Sequence, residues 1–199
     1  NSSGKTLTLN GGTVGSGVTV DNSGTIVTNG TSTISGTLTT QTGSTLRTAG
    51  NGATAILTAA NGFTNNGTIE LTATSGAYNS TLTVSSGQLT NAGTITTLTG
   101  TGGARYINAD LVNNSTIDVN ASLTINNSAT TPKLTNSGTI SIASGKTLTV
   151  SSGQFITGAA GGSLTGSGTM SIGSTITVTL NGDLTSSLSN LNFNGATVN

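Results

Sequence analysis

The chain has 199 residues, with 30 glycines, one proline and no cysteine, histidine or tryptophan, and its five basic and five acidic residues cancel. That balance excludes an electrostatic nucleic-acid binder, which needs clustered Lys and Arg; here Lys5, Arg47, Arg105, Lys133 and Lys146 are scattered. The missing cysteines exclude disulfides and thiolate metal sites, and no run approaches the roughly 18 apolar residues that span a bilayer.

Thr, Ser and Asn supply most of the polarity, with Val, Ile and Leu between them. Disordered chains are rich in charge and proline, and this chain is poor in both. Threonine, valine and isoleucine suit pleated strands. The N-terminal "NSSGKTLTLN" lacks the basic and apolar regions of a secretion signal. An exported form therefore reads as a mature chain or an excised fragment.

In chain order, the first expected strand is "KTLTLN" (5–10). "GGTVGSGV" (11–18) has glycines in phosphate-loop fashion but no Lys-Ser/Thr ending, so it reads as a turn. A seven-residue motif then recurs: apolar, any, Asn or Gly, any, Gly or Ser, Thr, apolar. Its copies are "VDNSGTI" (20–26), "FTNNGTI" (63–69), "LTNAGTI" (89–95), "LVNNSTI" (111–117), "LTNSGTI" (134–140) and "LTGSGTM" (164–170). A degenerate copy is expected around "ISGTLTTQTGSTL" (34–46), and an extra loop at "TSGAYN" (74–79). A second element, "TLTV"-like, appears at Thr6–Leu9, Thr81–Val84, Ser122–Ile125, Thr147–Val150 and Thr175–Leu180.

Leu89, Leu111 and Leu134 recur at almost even spacing. Because "SSGQF" (151–155) matches "SSGQL" (85–89), the next equivalent is Phe155, one similar interval further on, followed by an insertion at 157–165. A period near 22 holding two or three short strands leaves each coil with an apolar edge and unpaired backbone. Stacking coils in register pairs every strand with its copies and gathers the apolar residues into internal ladders. The expected fold is all-β, a parallel β-solenoid of about 22 residues per turn and roughly nine turns, some 43 Å long. Residues 1–180 form the solenoid. The tail 181–199 reads as a cap, or as a strand for head-to-tail pairing with a second copy.

In this picture the Asn-x-Gly stretch is a corner. Glycine is expected to supply positive φ there, and stacked asparagines to hydrogen-bond from coil to coil. Leu89, Leu111, Leu134 and Phe155 should share one interior column. The threonines of the second element should all face outward on one side.

The recurrent "N-x-G-T-I" and "G-x-T-L-T-V" stretches resemble the right-handed parallel β-helices of bacterial surface exoproteins, the filamentous-haemagglutinin-type adhesins and autotransporter passenger domains. The resemblance covers about residues 1–180. It implies export to the cell surface, an extracellular adhesive or structural role, and host or matrix glycans or proteins as partners. The secretion domain and outer-membrane barrel typical of such proteins are not in this sequence.

Little in the sequence points to catalysis. Histidine and cysteine, the commonest base and thiol nucleophile, are missing. Glu70 and Asp118 each follow the end of a motif copy, which places them two coils apart, roughly 10 Å. That spacing would suit a polysaccharide-cleaving pair, but solvated outward acids are the simpler reading. There is no "GGxGxD" calcium repeat, and no metal or cofactor is expected. Tyr78, Arg105 and Tyr106 in loops are the candidate partner contacts, since tyrosines on a solenoid flank can stack on sugars or protein. A flat threonine face makes ice binding the alternative function.

Overall fold

The computed structural model describes residues 1–126 and 133–199. Among them every regular element is a β-strand, and the strands pair in parallel as a solenoid of about eight turns, of about 23 residues each. Three faces succeed one another around each rung. The first face is a nine-stranded sheet running from Thr6–Asn10 to Leu184–Ser186. The second runs from Thr13–Val14 to Asn190–Phe193, and the third from Thr19–Asn22 to Thr197–Val198. Strands Ser80–Asn91 and Arg105–Asn113 pass the corner between the second and third faces unbroken, which joins those faces into one 16-stranded sheet.

Nine rungs separated by eight steps give a rod about 38 Å long at ~4.8 Å per step. The steps are uneven in chain length. Thr6 pairs with Thr25, a short step, whereas Thr68 pairs with Thr94, a distinctly longer one. The long step absorbs the loop at 74–79 expected from the sequence, and a further loop follows at 98–104.

Alternation along each strand decides which side chains enter the core. On the third face the interior column reads Phe63, Leu89, Leu111, Leu134, Phe155, Val178, Val198. The four residues expected to align therefore do so, and all four are buried. The first face contributes Ile26, Leu46, Ile69, Ile95, Ile117, Ile140 and Leu164. The second contributes Leu57, Leu82, Ile107, Ile125, Val150 and Ile172. Fully burying each such side chain is worth about 1.5–3 kcal/mol. The degenerate copy is also in phase, since Leu38 pairs with Val20 and Thr40 with Asn65.

The asparagines of the motif point inward. Asn22, Asn65, Asn91, Asn113 and Asn136 are fully buried. Asn65 donates from Nδ2 to Oδ1 of Asn91 at 2.9 Å, Asn91 to Asn113 at 2.8 Å, and Asn113 to Asn136 at 2.8 Å. The same amides also reach the carbonyls of Thr94, Thr116 and Thr139 on the next rung. Each part of the motif thus has a place. Its first apolar residue fills the third-face column and its asparagine ties two rungs together at the corner. Its last apolar residue fills the first-face column, and its threonine faces out.

Three sequence expectations need correction. The motif glycines Gly24, Gly67, Gly93 and Gly138 do not have positive φ, and no non-glycine residue among those described does. They are required by close stacking: a Cβ on Gly93 would lie 2.1 Å from the Gly67 carbonyl oxygen, and one on Gly138 would lie 2.1 Å from that of Ser115. Positive φ occurs instead at turns such as Gly43, Gly145 and Gly153. The copy at 164–170 is out of phase, because Leu164 stacks on Ile140 of the first face rather than joining the Phe155 column.

The "TLTV" threonines do not share a side. Thr6 and Thr8 lie on the first face, Thr81, Thr83, Thr147 and Thr149 on the second, and Thr177 and Thr179 on the third. The tail continues the winding as a ninth rung, in strands Leu184–Ser186, Asn190–Phe193 and Thr197–Val198.

Candidate functional site

The outer surface carries few charges, and the register locates them. On the first face one outer column reads Thr6, Thr25, Thr45, Thr68, Thr94, Thr116, Thr139, Ser163, Thr185. The column beside it is mixed: Thr8, Val27, Arg47, Glu70, Thr96, Asp118, Ser141, Thr165. Glu70 and Asp118 therefore do occupy equivalent places two rungs apart, with Thr96 between them. Glu70 is ion-paired to Arg47, whose Nε donates to its carboxylate. Asp21 stands exposed on the third face and accepts from Gln41 Nε2 at 2.8 Å and from Thr39 Oγ1 at 2.9 Å. These bonds hold its carboxyl below the usual value.

Among the described residues, the most elaborated region is the corner between the first and second faces on rungs four and five. There the turns lengthen into a ledge. The loop at 74–79 carries Tyr78, and the loop at 98–104 lies beneath it with Gly100, Gly102 and Gly103 all at positive φ. A Cβ on Gly100 would lie 2.1 Å from the Ala73 carbonyl oxygen, and one on Gly103 would lie 2.0 Å from that of Tyr78. Only glycine can lie this flat against the rung above. Thr101 Oγ1 donates to the Gly76 carbonyl at 2.6 Å, and the Ala104 amide donates to Asn79 Oδ1 at 2.9 Å, binding the two loops together.

Arg105 anchors this ledge from inside. It occupies an interior position of the second face, in a column with Ala55, Ser80, Leu123 and Leu148, and is 1% exposed. Nη1 donates to the carbonyls of Gly102 (2.7 Å) and Gly103 (3.0 Å), and Nη2 to those of Leu98 (2.9 Å) and Thr99 (3.0 Å). Nε is buried without a partner. Burial pulls the guanidinium pKa below its ordinary value, although arginine stays charged. Four carbonyl dipoles stand in for the water it lost.

Of the three expected contact residues, the structure thus presents two to solvent. Tyr78 is exposed on the ledge, and Tyr106 faces outward and half-buried between Thr81 and Thr124. Arg105 is not a surface contact. Parity along Arg105–Asn113 would have revealed this, because Arg105 shares the inward phase of Ile107, Ala109 and Leu111.

Below the ledge the corner turns shorten again, and a recess of about 420 Å³ opens there. It is bounded by Thr99, Gly102, Gly103, Ala104 and Arg105, then by Ala121, Ser122 and Thr124 of the next rung, and finally by Lys146. A second recess, of about 440 Å³, lies toward the C-terminal end against Ser137, Gly161, Asp183 and Thr185. No group of three or more acidic residues that could hold a metal ion occurs among the described residues.

Comparison with protein-family models, with curated proteins and with solved structures finds no match to this chain. What the fold and its surface define is a class: a parallel β-solenoid with, among the described residues, a hydroxyl-rich exterior of few charges and a loop-built ledge.

Proposed function

We propose that the chain is an extracellular structural and adhesive rod, displayed at or beyond a cell surface, that carries its contacts on the ledge formed by residues 74–79 and 98–106. The observation that carries this reading is the unbroken interior column from Phe63 to Val198, flanked by the buried asparagine ladder. A chain built this way devotes its sequence to a stiff length, because pulling it apart breaks backbone ladders on three faces at once. The ledge is where two successive turns depart together from the minimal corner, and loops on a rigid scaffold are where contacts concentrate. Glycans or proteins of a host or matrix are the partners.

The reading includes association with a second copy, end to end. Among the described residues, the exposed large apolar side chains other than Tyr78 lie at the two ends of the rod. Leu7 and Val18 are on the first rung, and Leu180, Phe193 and Val198 on the last two. A second copy's first rung would bring Val20 into the column that ends at Val198.

The test is display of the chain on non-adherent cells, with attachment to glycan- and protein-coated surfaces measured under shear, and sedimentation of the soluble chain at rising concentration. Attachment that requires 74–79 and 98–106, and reversible axial assembly weakened by Val198→Lys, are the expected results. A chain that attaches to nothing and sediments as a dilution-insensitive monomer overturns the proposal. An ice-binding role is less well supported, since the two-column threonine lattice it needs is interrupted on the first face by Arg47, Glu70 and Asp118.

A further inference from the structure

We propose that the recess under the ledge is a binding site for the carboxylate of an acidic saccharide. This rests on the adhesive reading and names the ligand class that the reading leaves open.

The argument starts from charge. Arg105 is buried, its guanidinium is ringed by four backbone carbonyls, and no carboxylate accepts from it. Carbonyl dipoles solvate a cation without neutralising it, so a full positive charge persists in a poorly screened place. The recess borders that charge, and Lys146 places a second cation on its rim. The charged residues lining it are Arg105 and Lys146 alone. A field of one sign against low-dielectric walls concentrates anions of the opposite sign.

The remaining lining selects among anions. Thr99, Ser122 and Thr124 place hydroxyls around the recess, while Ala104 and Ala121 add methyl surface. Hydroxyls that both donate and accept, beside small apolar patches, match a sugar ring bearing hydroxyls on its edge and C–H groups on its face. At about 420 Å³ the recess lies in the range of small-molecule sites and has room for one such ring.

Its shape follows from the sequence. The corner of rung five runs over 98–104, whereas on the next rung the second-face strand begins at Leu123 after the brief corner 120–122. The longer loop therefore overhangs the shorter one, and the guanidinium that braces the overhang is also the charge above the recess. Lys146 sits in the turn 143–146 one rung further on, where its amide donates to the Ala143 carbonyl.

The test follows backbone amide shifts of the whole 199-residue chain during titration with a glucuronate oligosaccharide, with the neutral glucose oligosaccharide of the same length, and with acetate. Glucuronate is expected to shift the amides of 99–106, Ser122 and Lys146. Its affinity should fall roughly tenfold in Lys146→Glu and decline with added salt, and the neutral sugar should leave these amides still. Lys146 is half-exposed in a turn, and Lys146→Ala, with a smaller loss, guards against a folding artefact.

Shifts elsewhere only, equal response to the neutral sugar, or unchanged affinity in Lys146→Glu overturn the site. An acetate response as strong as that to glucuronate overturns the saccharide assignment. Attachment to uronate-free surfaces that Lys146→Glu leaves intact would keep the adhesive reading and remove this site as its basis. Glucuronate shifts in a chain that attaches to nothing would do the reverse.

Discussion

Asn113 donates its side-chain amide to Asn136 Oδ1 at 2.8 Å, yet the amide of Asn136, equally buried, has no acceptor. The ladder runs in one direction, each Nδ2 feeding the Oδ1 one rung on, and it ends where the next position is Thr157. The hydroxyl of Thr157 is already engaged with Gly182, donating to its carbonyl at 2.8 Å and accepting from its amide at 3.1 Å. The ladder amides before it also reach a backbone carbonyl on the next rung, and Asn136 lacks that acceptor too.

That asymmetry predicts unequal costs along the ladder. Asn113→Ala removes a donor and an acceptor that are both satisfied, and should destabilise by about 2–3 kcal/mol. Asn136→Ala also removes an amide that is already unpaired, and should cost about 1 kcal/mol less. Equilibrium urea unfolding of the two variants compares them directly. Equal losses would mean that the ladder is not the source of the stability.

The motif glycines make a second, steeper prediction. Gly93→Ala drives a Cβ against the Gly67 carbonyl oxygen and should abolish folding or cost more than about 3 kcal/mol. Gly15→Ala and Gly17→Ala meet nothing within 4 Å and have ordinary φ, so each should be neutral within about 0.5 kcal/mol. Gly145→Ala has the space but a φ of 68°, and should fall between, at about 1 kcal/mol. Melting temperatures of the four variants should follow that order.

Leu111 lies mid-column between Leu89 and Leu134 and is fully buried. Truncation to Ala leaves a cavity that the backbone ladders above and below prevent from closing, with a loss of about 2–5 kcal/mol. Calorimetric unfolding would measure it. A loss below about 1 kcal/mol would mean that the rungs slide to fill the gap.

Arg105→Leu tests the anchoring of the ledge. Leucine fits the column shared with Leu123 and Leu148, but four loop carbonyls lose their donors. Amide hydrogen exchange across 98–104 should accelerate by at least about tenfold, while the strands of rungs seven and eight keep their protection.

Asp21 sets a weak acid dependence. Its folded pKa lies below the ordinary 3.8 because Gln41 and Thr39 donate to the ionised form. A depressed carboxyl contributes stability that is present above the unfolded pKa and is lost as pH falls through the folded value. The loss should therefore appear only below about pH 4, and Asp21→Asn should remove it. The group is fully exposed, so the effect is small and is best read from its own NMR titration.

How much of this was legible in the chain depends on which force decided each feature. Period, parallel stacking, the Leu89–Leu111–Leu134–Phe155 column and the inter-rung asparagine bonds follow from alternation and spacing alone. Burial alternates along each strand and recurs once per rung along the chain, and both rhythms can be counted in the letters. The placement of Glu70 and Asp118 on one column follows for the same reason.

What the letters left undecided were the properties that depend on neighbours brought close only by the winding, most of them one rung away. The motif glycines looked like turn formers, and only the stacked rungs reveal that they are needed because a Cβ would strike a carbonyl. The "TLTV" stretches looked like one face, yet steps of unequal chain length distribute them over three. Arg105 carries the inward parity of Ile107 in the letters, but only the folded corner of its own rung, with four carbonyls turned inward upon it, makes a buried cation tolerable. Local sequence determined the rung; contacts between rungs decided the corners, because those distances exist only after the chain has wound upon itself.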